Sequence, residues 1–291
     1  MPAFFLFSSV FFFSKERKYK DVVTNKFKTL IVPYLVWNTF WVIVWILLQE
    51  LPVTAAFSSG FNARVLDLDA LGLLNLYGIG ALYPLDYPLW FMRDLFFMFL
   101  IYPALKLIVS KAPKIALVLG AVILFLPNIY PNMFLNTAAG WFLIGGALVY
   151  LNIHLTLFDK VPVWTMTLVY VVSIAVTIYV ELWQYKSFIV IFLIFIGIGF
   201  LFRLSKVIYD NNTLKDAFLW LSKYTMIIFV FHERTLSCIE KVLLKVLPNT
   251  DLFVILIYHL VPFLVIGICI AFGMLLQKIV PKFYVLSTGG R

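Results

Sequence analysis

The chain has 291 residues, of which 63% are hydrophobic and only 13% charged, with a net charge of +9 and a mean hydropathy of +1.00. Soluble domains carry about 25% charged residues, so this composition excludes a soluble globular domain. The basic excess lies mostly between apolar runs, where it acts as a topology signal and lipid-headgroup contact, and no nucleic-acid partner is expected.

The first apolar run, Phe4 to Phe13, is too short to span and reads as the second part of a helix. A basic loop follows, holding Lys15, Arg17, Lys18, Lys20, Lys26 and Lys28. Its cations could hold the phosphates of a nucleotide-containing donor such as coenzyme A. They also serve as a topology determinant that binds anionic lipid. The run 29–49 is the first full span. Trp37, Trp41 and Trp45 recur every four residues on it and so share one helix face. Interhelical or lipid packing is expected there, ahead of contact with a lipid-linked sugar or acyl chain.

The segment 50–87 is the longest extracytoplasmic loop, with Glu50, Asp67, Asp69 and Asp86 against Arg64 alone. Its Leu66-Asp67-Leu68-Asp69-Ala70-Leu71-Gly72-Leu73-Leu74 stretch reads as a short interfacial helix, ended by Gly78, Gly80, Pro84 and Pro88. Long loops in compact proteins are often functional, and a lid or acceptor surface weighs equally with a passive connector. Further spans are expected at 88–109, 114–130, 135–151, 161–181, 187–204, 217–236 and 252–277. Runs of this length cross a bilayer core of about 30 Å, and none alternates as barrel strands do. The predicted fold is all-α: a polytopic transmembrane helical bundle of about nine helices.

If residues 14–28 are cytoplasmic, seventeen Lys and Arg fall on that side and six on the other. That asymmetry predicts a multi-pass protein with a cytoplasmic C-terminus.

Charged residues at the edge of a span are costly and therefore informative. Arg93 and Asp94 lie about one turn inside the outer end of theirs. Arg93 could orient an acceptor hydroxyl or a sugar, and Asp94 could pair with it or accept a proton; a structural ion pair weighs equally. His232, Glu233 and Arg234 cluster toward the outer end of another apolar helix. His232 has the chemistry of a general base, although a histidine bonded to a neighbouring helix is commoner. Neighbours at i and i+1 diverge on a helix, so Glu233 need not touch it. His154 and His259 read as structural. Cys238 and Cys269 lack metal-ligand spacing, and no metal site, phosphate loop or nucleophile elbow is present in the sequence.

Several stretches together resemble the acyltransferase-3 family of bacterial membrane O-acyltransferases. They are Phe11-Phe12-Phe13-Ser14-Lys15-Glu16-Arg17-Lys18, Lys26-Phe27-Lys28 ahead of Ile31-Val32-Pro33-Tyr34-Leu35-Val36-Trp37-Asn38, and Leu89-Trp90-Phe91-Met92-Arg93-Asp94-Leu95-Phe96. Leu221-Ser222-Lys223-Tyr224-Thr225 running on to Phe231-His232, and the closing Leu286-Ser287-Thr288-Gly289-Gly290-Arg291, extend the resemblance over nearly the whole chain. It implies one acyltransferase-3-like membrane domain over 1–291, in the bacterial inner membrane. It also implies transfer of an acetyl or succinyl type group from acyl-CoA, a co-substrate and not a resident cofactor, to a hydroxyl of an exopolysaccharide or other exported glycan. Acyl-CoA, a glycan or lipid-linked sugar, and membrane lipids are the expected partners. Lys15, Arg17, Lys18, Lys26 and Lys28 would contact the donor. Trp90, Arg93 and Asp94 would belong to the active-site region, with His232 catalytic and Glu233 on the substrate. Family members have about ten helices, and the first carries the histidine usually taken as base. That helix has no counterpart here, so the resemblance implies an N-terminally truncated chain. A precursor transporter or flippase, and a catalytically inactive homologue, are the alternative readings.

Overall fold

A computed structural model describes residues 1–51, 64–80, 83–126, 135–180, 186–248 and 250–290, with side chains left out at 180 and 186–188. Parts of the 50–87 loop, the prolines Pro127 and Pro131, the Lys186 side chain and Arg291 lie outside the described residues. The described chain is helical, with no strand beyond one isolated bridge between Tyr77 and Pro84. It divides into two compact units, each made of non-contiguous segments.

The first unit gathers residues 1–23, 97–126 and 135–218. It holds α1 (Pro2–Phe13), α6 (Tyr102–Lys111), α7 (Pro113–Phe125), α8 (Leu135–Tyr150), α9 (Val163–Val180) and α10 (Lys186–Asp210), and most of α11 (Asn212–Ser222). The buried helix α8 packs against both α1 and α7. Small residues make this possible, since without them helix backbones could not approach closely inside a membrane. A Cβ added at Gly120 would stand 2.8 Å from the Gly140 carbonyl oxygen, and one at Gly145 would stand 2.7 Å from that of Leu6. The Ser9 hydroxyl donates to the Phe142 carbonyl, crossing the same close approach. Phe12, Phe99, Tyr102 and Phe142 then meet edge to face and tilted, with centroids 4.6–6.4 Å apart, a geometry aromatic rings prefer.

The second unit gathers residues 24–96 and 219–290. Its first helix runs from the end of α2 (Tyr19–Lys26, of which residues 19–23 belong to the first unit) through a π-helical turn at Phe27–Ile31 into α3 (Val32–Glu50). The others are α4 (Ala70–Leu76), α5 (Trp90–Leu100, whose last turn enters the first unit), α12 (Thr225–Val246), α13 (Asp251–Ile279) and α14 (Pro281–Ser287). The tryptophan face of α3 turns inward. Trp37 Nε1 donates to the Ser287 carbonyl at 2.8 Å and Trp41 Nε1 to that of Val230 at 3.1 Å. Interhelical packing is therefore the role of these two rings.

Three expected elements shift for physical reasons. The run 88–109 breaks at Ile101, between α5 and α6. Pro103 has no N–H for the carbonyl one turn back. The interfacial helix starts at Ala70, where the Asp69 side chain accepts from the Gly72 amide as an N-cap, and Val65–Asp67 forms a separate 3₁₀ turn. The run 217–236 divides into α11 and α12 at Lys223-Tyr224, and α12 continues to Val246.

Three helical stretches, Tyr19–Glu50, Ile189–Asp210 and Asp251–Ile279, are long and apolar enough to cross a membrane. The shorter apolar helices α1, α7 and α8, and α9 up to Tyr179, accompany them.

Candidate active site

The second unit brings charged and polar groups together where α3, residues 76–80 and 83–89, α5 and α12 meet. Residues 84–89 are short of helix-forming sequence, since Pro84 and Pro88 flank Leu85-Asp86-Tyr87. The segment is held by its backbone instead. Leu85 N–H donates to the Leu76 carbonyl at 2.7 Å, and a 3₁₀ turn at Tyr87–Leu89 leads into α5. Val65, Leu76 and Leu85 pack on Trp45 of α3 and form an apolar base beneath it.

Arg93 and Asp94 form a buried ion pair, Nε to Oδ1 at 2.8 Å, with side-chain exposures of 6% and 0%. Arg93 Nη1 also donates to the Gly78 carbonyl at 2.8 Å. Gly78 sits at φ +64°, and a Cβ there would stand 2.5 Å from Arg93 Nη1. Glycine is thus required both by the backbone and by the guanidinium. The Tyr34 hydroxyl donates to the Tyr77 carbonyl at 2.5 Å, within electrostatic reach of Arg93, Asp94 and Asp86. Trp90 is buried one turn ahead of Arg93, edge-on to Phe91.

His232 lies on α12, which meets α5 through Phe91 and Phe229, with centroids 6.3 Å apart. Its Nδ1 faces the Ile228 and Phe229 carbonyls at 3.0 and 2.9 Å. Beside two carbonyl acceptors, Nδ1 is a donor position in either protonation state of the ring. Glu233 approaches Arg234, not His232: Oε2 stands 3.8 Å from Arg234 Nε. Arg234 Nη2 donates to the Leu85 carbonyl, and its guanidinium lies 5.1 Å from the Trp45 ring centroid.

The basic residues are divided between the units. Lys15, Arg17, Lys18 and Lys20 belong to the first, and Lys26 and Lys28 to the second. All are exposed except the half-buried Lys26. The Arg17 guanidinium lies 5.7 Å from the Phe12 ring centroid. Among the described residues no cluster of metal-ligating side chains occurs.

Sequence reasoning counted Asp86 only as one more acidic loop residue. It is fully buried, and neither carboxylate oxygen has a hydrogen-bond partner among the described residues. Its own N–H donates to Asn38 Oδ1 at 3.1 Å, while Asn38 Nδ2 donates to the Leu76 carbonyl at 2.9 Å. Burial pushes the Asp86 carboxyl up to about 8, Arg234 opposes this, and Glu233 adds to it. Its place between two prolines, directly before the Trp90–Asp94 stretch, was the available signal.

An apolar helical bundle with a buried Arg–Asp pair and a half-buried histidine on adjoining helices defines a helical membrane protein with an internal polar site. A family model described as an acyltransferase domain matches residues 1–276, and the chain belongs to that family, acyltransferase-3. A curated relative is the succinoglycan biosynthesis protein ExoH of Rhizobium meliloti (strain 1021), 28% identical over 113 residues. The match covers 38% of this chain and 29% of that protein, so it spans less than a third of the relative's length. No solved structure matches.

Proposed function

We propose that the protein is an inner-membrane O-acyltransferase. It moves an acyl group of acetyl or succinyl type from cytoplasmic acyl-CoA to a hydroxyl of an exported polysaccharide or its lipid-linked precursor. The observation that carries this is the family match over 276 of the 291 residues, together with the burial of Arg93 and Asp94 in the stretch that bears the resemblance. The name of the Rhizobium meliloti relative supports an exopolysaccharide as acceptor.

In this reading the acceptor hydroxyl gives its proton to a general base, for which His232 Nε2 is a candidate on this chain. The acceptor oxygen forms a bond to the thioester carbonyl carbon. The carbon–sulfur bond breaks, and coenzyme A leaves as a thiolate that takes up a proton. Arg93 orients the acceptor or offsets charge building on the carbonyl oxygen, and Asp94 fixes the guanidinium. Trp90 and Glu233 line the acceptor side. Lys15, Arg17, Lys18, Lys26 and Lys28 attract the phosphates of the donor from the cytoplasmic face, on which the C-terminus also lies.

The test is acyl transfer by the purified chain in lipid nanodiscs, supplied with labelled acetyl-CoA or succinyl-CoA and the host's polysaccharide. Label in the polysaccharide that is released by mild base supports an ester on oxygen. Export of glycan without label incorporation supports the transporter reading. Neither transfer nor hydrolysis from either donor, with export unaffected, supports an inactive homologue.

A further inference from the structure

α4 ends at Leu76, and the chain leaves it through Tyr77 and the left-handed Gly78 at φ +64°. The last carbonyls of a helix have no partner within it, and irregular backbone inside a membrane protein must find its partners from neighbouring segments. Here three consecutive carbonyls are each received by a side chain. Asn38 Nδ2 donates to Leu76 at 2.9 Å, the Tyr34 hydroxyl to Tyr77 at 2.5 Å, and Arg93 Nη1 to Gly78 at 2.8 Å. The first two donors are four residues apart on α3 and so share one face of it. The third comes from α5.

Asn38 also uses its other amide atom. Its Oδ1 accepts from the Asp86 N–H at 3.1 Å, so one side chain ties the segment leaving α4 to the one entering α5. It is wholly buried. Burying an amide is costly unless it is bonded, and a position that needs a donor and an acceptor at once suits this side chain. The Arg93 guanidinium is held at two of its nitrogens, Nε by Asp94 and Nη1 by Gly78. Two such points set the plane of the rigid fork. Asp94 is the next residue on the same helix, whereas the Gly78 carbonyl ties the guanidinium to a different segment. The place of that carbonyl depends on the two before it.

We propose that Tyr34 and Asn38 are positioning residues for Arg93: from one face of α3 they fix the Leu76 and Tyr77 carbonyls, and with them the Gly78 carbonyl that aims the guanidinium. That this aim serves acyl transfer rests on the acyltransferase reading, in which Arg93 acts on the acceptor or on the carbonyl oxygen. The coupling of Tyr34 to Arg93 does not, and can be measured without turnover.

The test is a double-mutant cycle in the nanodisc transfer assay, using Tyr34→Phe, which removes one hydroxyl and keeps the ring, and Arg93→Lys. Tyr34→Phe is expected to lower kcat about tenfold with KM for the acyl donor unchanged, short of the roughly hundredfold that a displacement of about 1 Å can cost. Beside Arg93→Lys the same replacement should have little further effect, because the group it aims is gone. Asn38→Leu, which retains volume and loses both bonds, should follow the same pattern. Thr39→Val is the control: the exposed Thr39 hydroxyl meets the Tyr77 hydroxyl at 2.8 Å and not its carbonyl, and transfer should be unchanged. Unfolding midpoints in a denaturing detergent give the cycle without turnover, and the Tyr34→Phe shift should be smaller beside Arg93→Lys than alone. Equal loss of kcat in both backgrounds, a rise in KM without loss of kcat, a Tyr34→Phe chain that turns over as the parent does, or an equal loss with Thr39→Val would overturn the assignment, as would additive midpoints. A parent that transfers no acyl group removes the enzyme reading alone. The midpoints then decide the coupling, smaller combined shifts supporting it and additive ones refuting it.

Discussion

Replacing Arg93 by alanine probes whether the buried pair is a structural element, a functional one, or both. Asp94 is fully buried and Arg93 nearly so, with 2.8 Å between Nε and Oδ1. Removing one partner of such a pair leaves a buried carboxylate without its guanidinium, which costs about 3–5 kcal/mol. Loss of the bond to the Gly78 carbonyl adds about 1 kcal/mol. Asp94→Ala should cost a similar amount, because it leaves a buried guanidinium without its anion. The double replacement Arg93→Met with Asp94→Leu removes both charges and retains volume, so most of the stability should return. Acyl transfer should stay absent in the double variant if Arg93 acts on the substrate. Unfolding by titration with a denaturing detergent, followed by tryptophan fluorescence, gives the stabilities, and label incorporation gives the activity. The reasoning fails if either single variant costs less than about 1 kcal/mol, as an exposed pair would, or if the double variant loses as much as the two singles combined. A double variant that regains activity would restrict the pair to a structural role.

Four further outcomes are expected. Asp86 holds a proton in the folded chain up to about pH 8, against an ordinary value of 3.8. The folded state therefore binds more protons than the unfolded one between those values, and stability falls as pH rises through the window. Asp86→Asn should remove that slope, so that its melting temperature exceeds the parent's at pH 9 by more than at pH 5; parallel profiles would contradict this. Gly145→Leu, forced against the Leu6 carbonyl and Ser9, should cost about 1–3 kcal/mol or more by overpacking, seen as a lower detergent-unfolding midpoint. Gly78→Ala combines a left-handed backbone at φ +64° with a clash on Arg93. It should lose about 1–2 kcal/mol from the backbone alone and lower transfer by displacing the guanidinium. Trp37→Phe leaves the buried Ser287 carbonyl without its donor, a loss of about 1–3 kcal/mol, with little change in transfer per folded molecule.

The all-α class was legible because hydrocarbon solvent demands that backbone groups be satisfied within each segment, and runs of apolar residues announce such segments directly. The positions of α3, α8 and α13 follow from those runs closely. The break at Ile101 and the division at Lys223-Tyr224 were less legible, since average apolarity does not register the loss of a single backbone bond. Of the site, Arg93 and Asp94 stood out as charges in an apolar context. The tryptophan spacing of α3 identified a face but left its partners open.

Sequence by itself determined that this chain is a helical membrane protein and that it bears the motifs of its family, because both are properties of local residue pattern. Tertiary structure decided the rest. It showed that Glu233 approaches Arg234 and leaves His232 bonded to its own helix. It showed that Trp37 and Trp41 serve packing. It also buried Asp86, an ordinary loop acid in the sequence, with neither carboxylate oxygen hydrogen-bonded among the described residues. Burial and pairing depend on which distant segments meet, as Asn38 meets Leu76 and Asp86 and Arg234 meets Leu85, and no local pattern encodes those meetings.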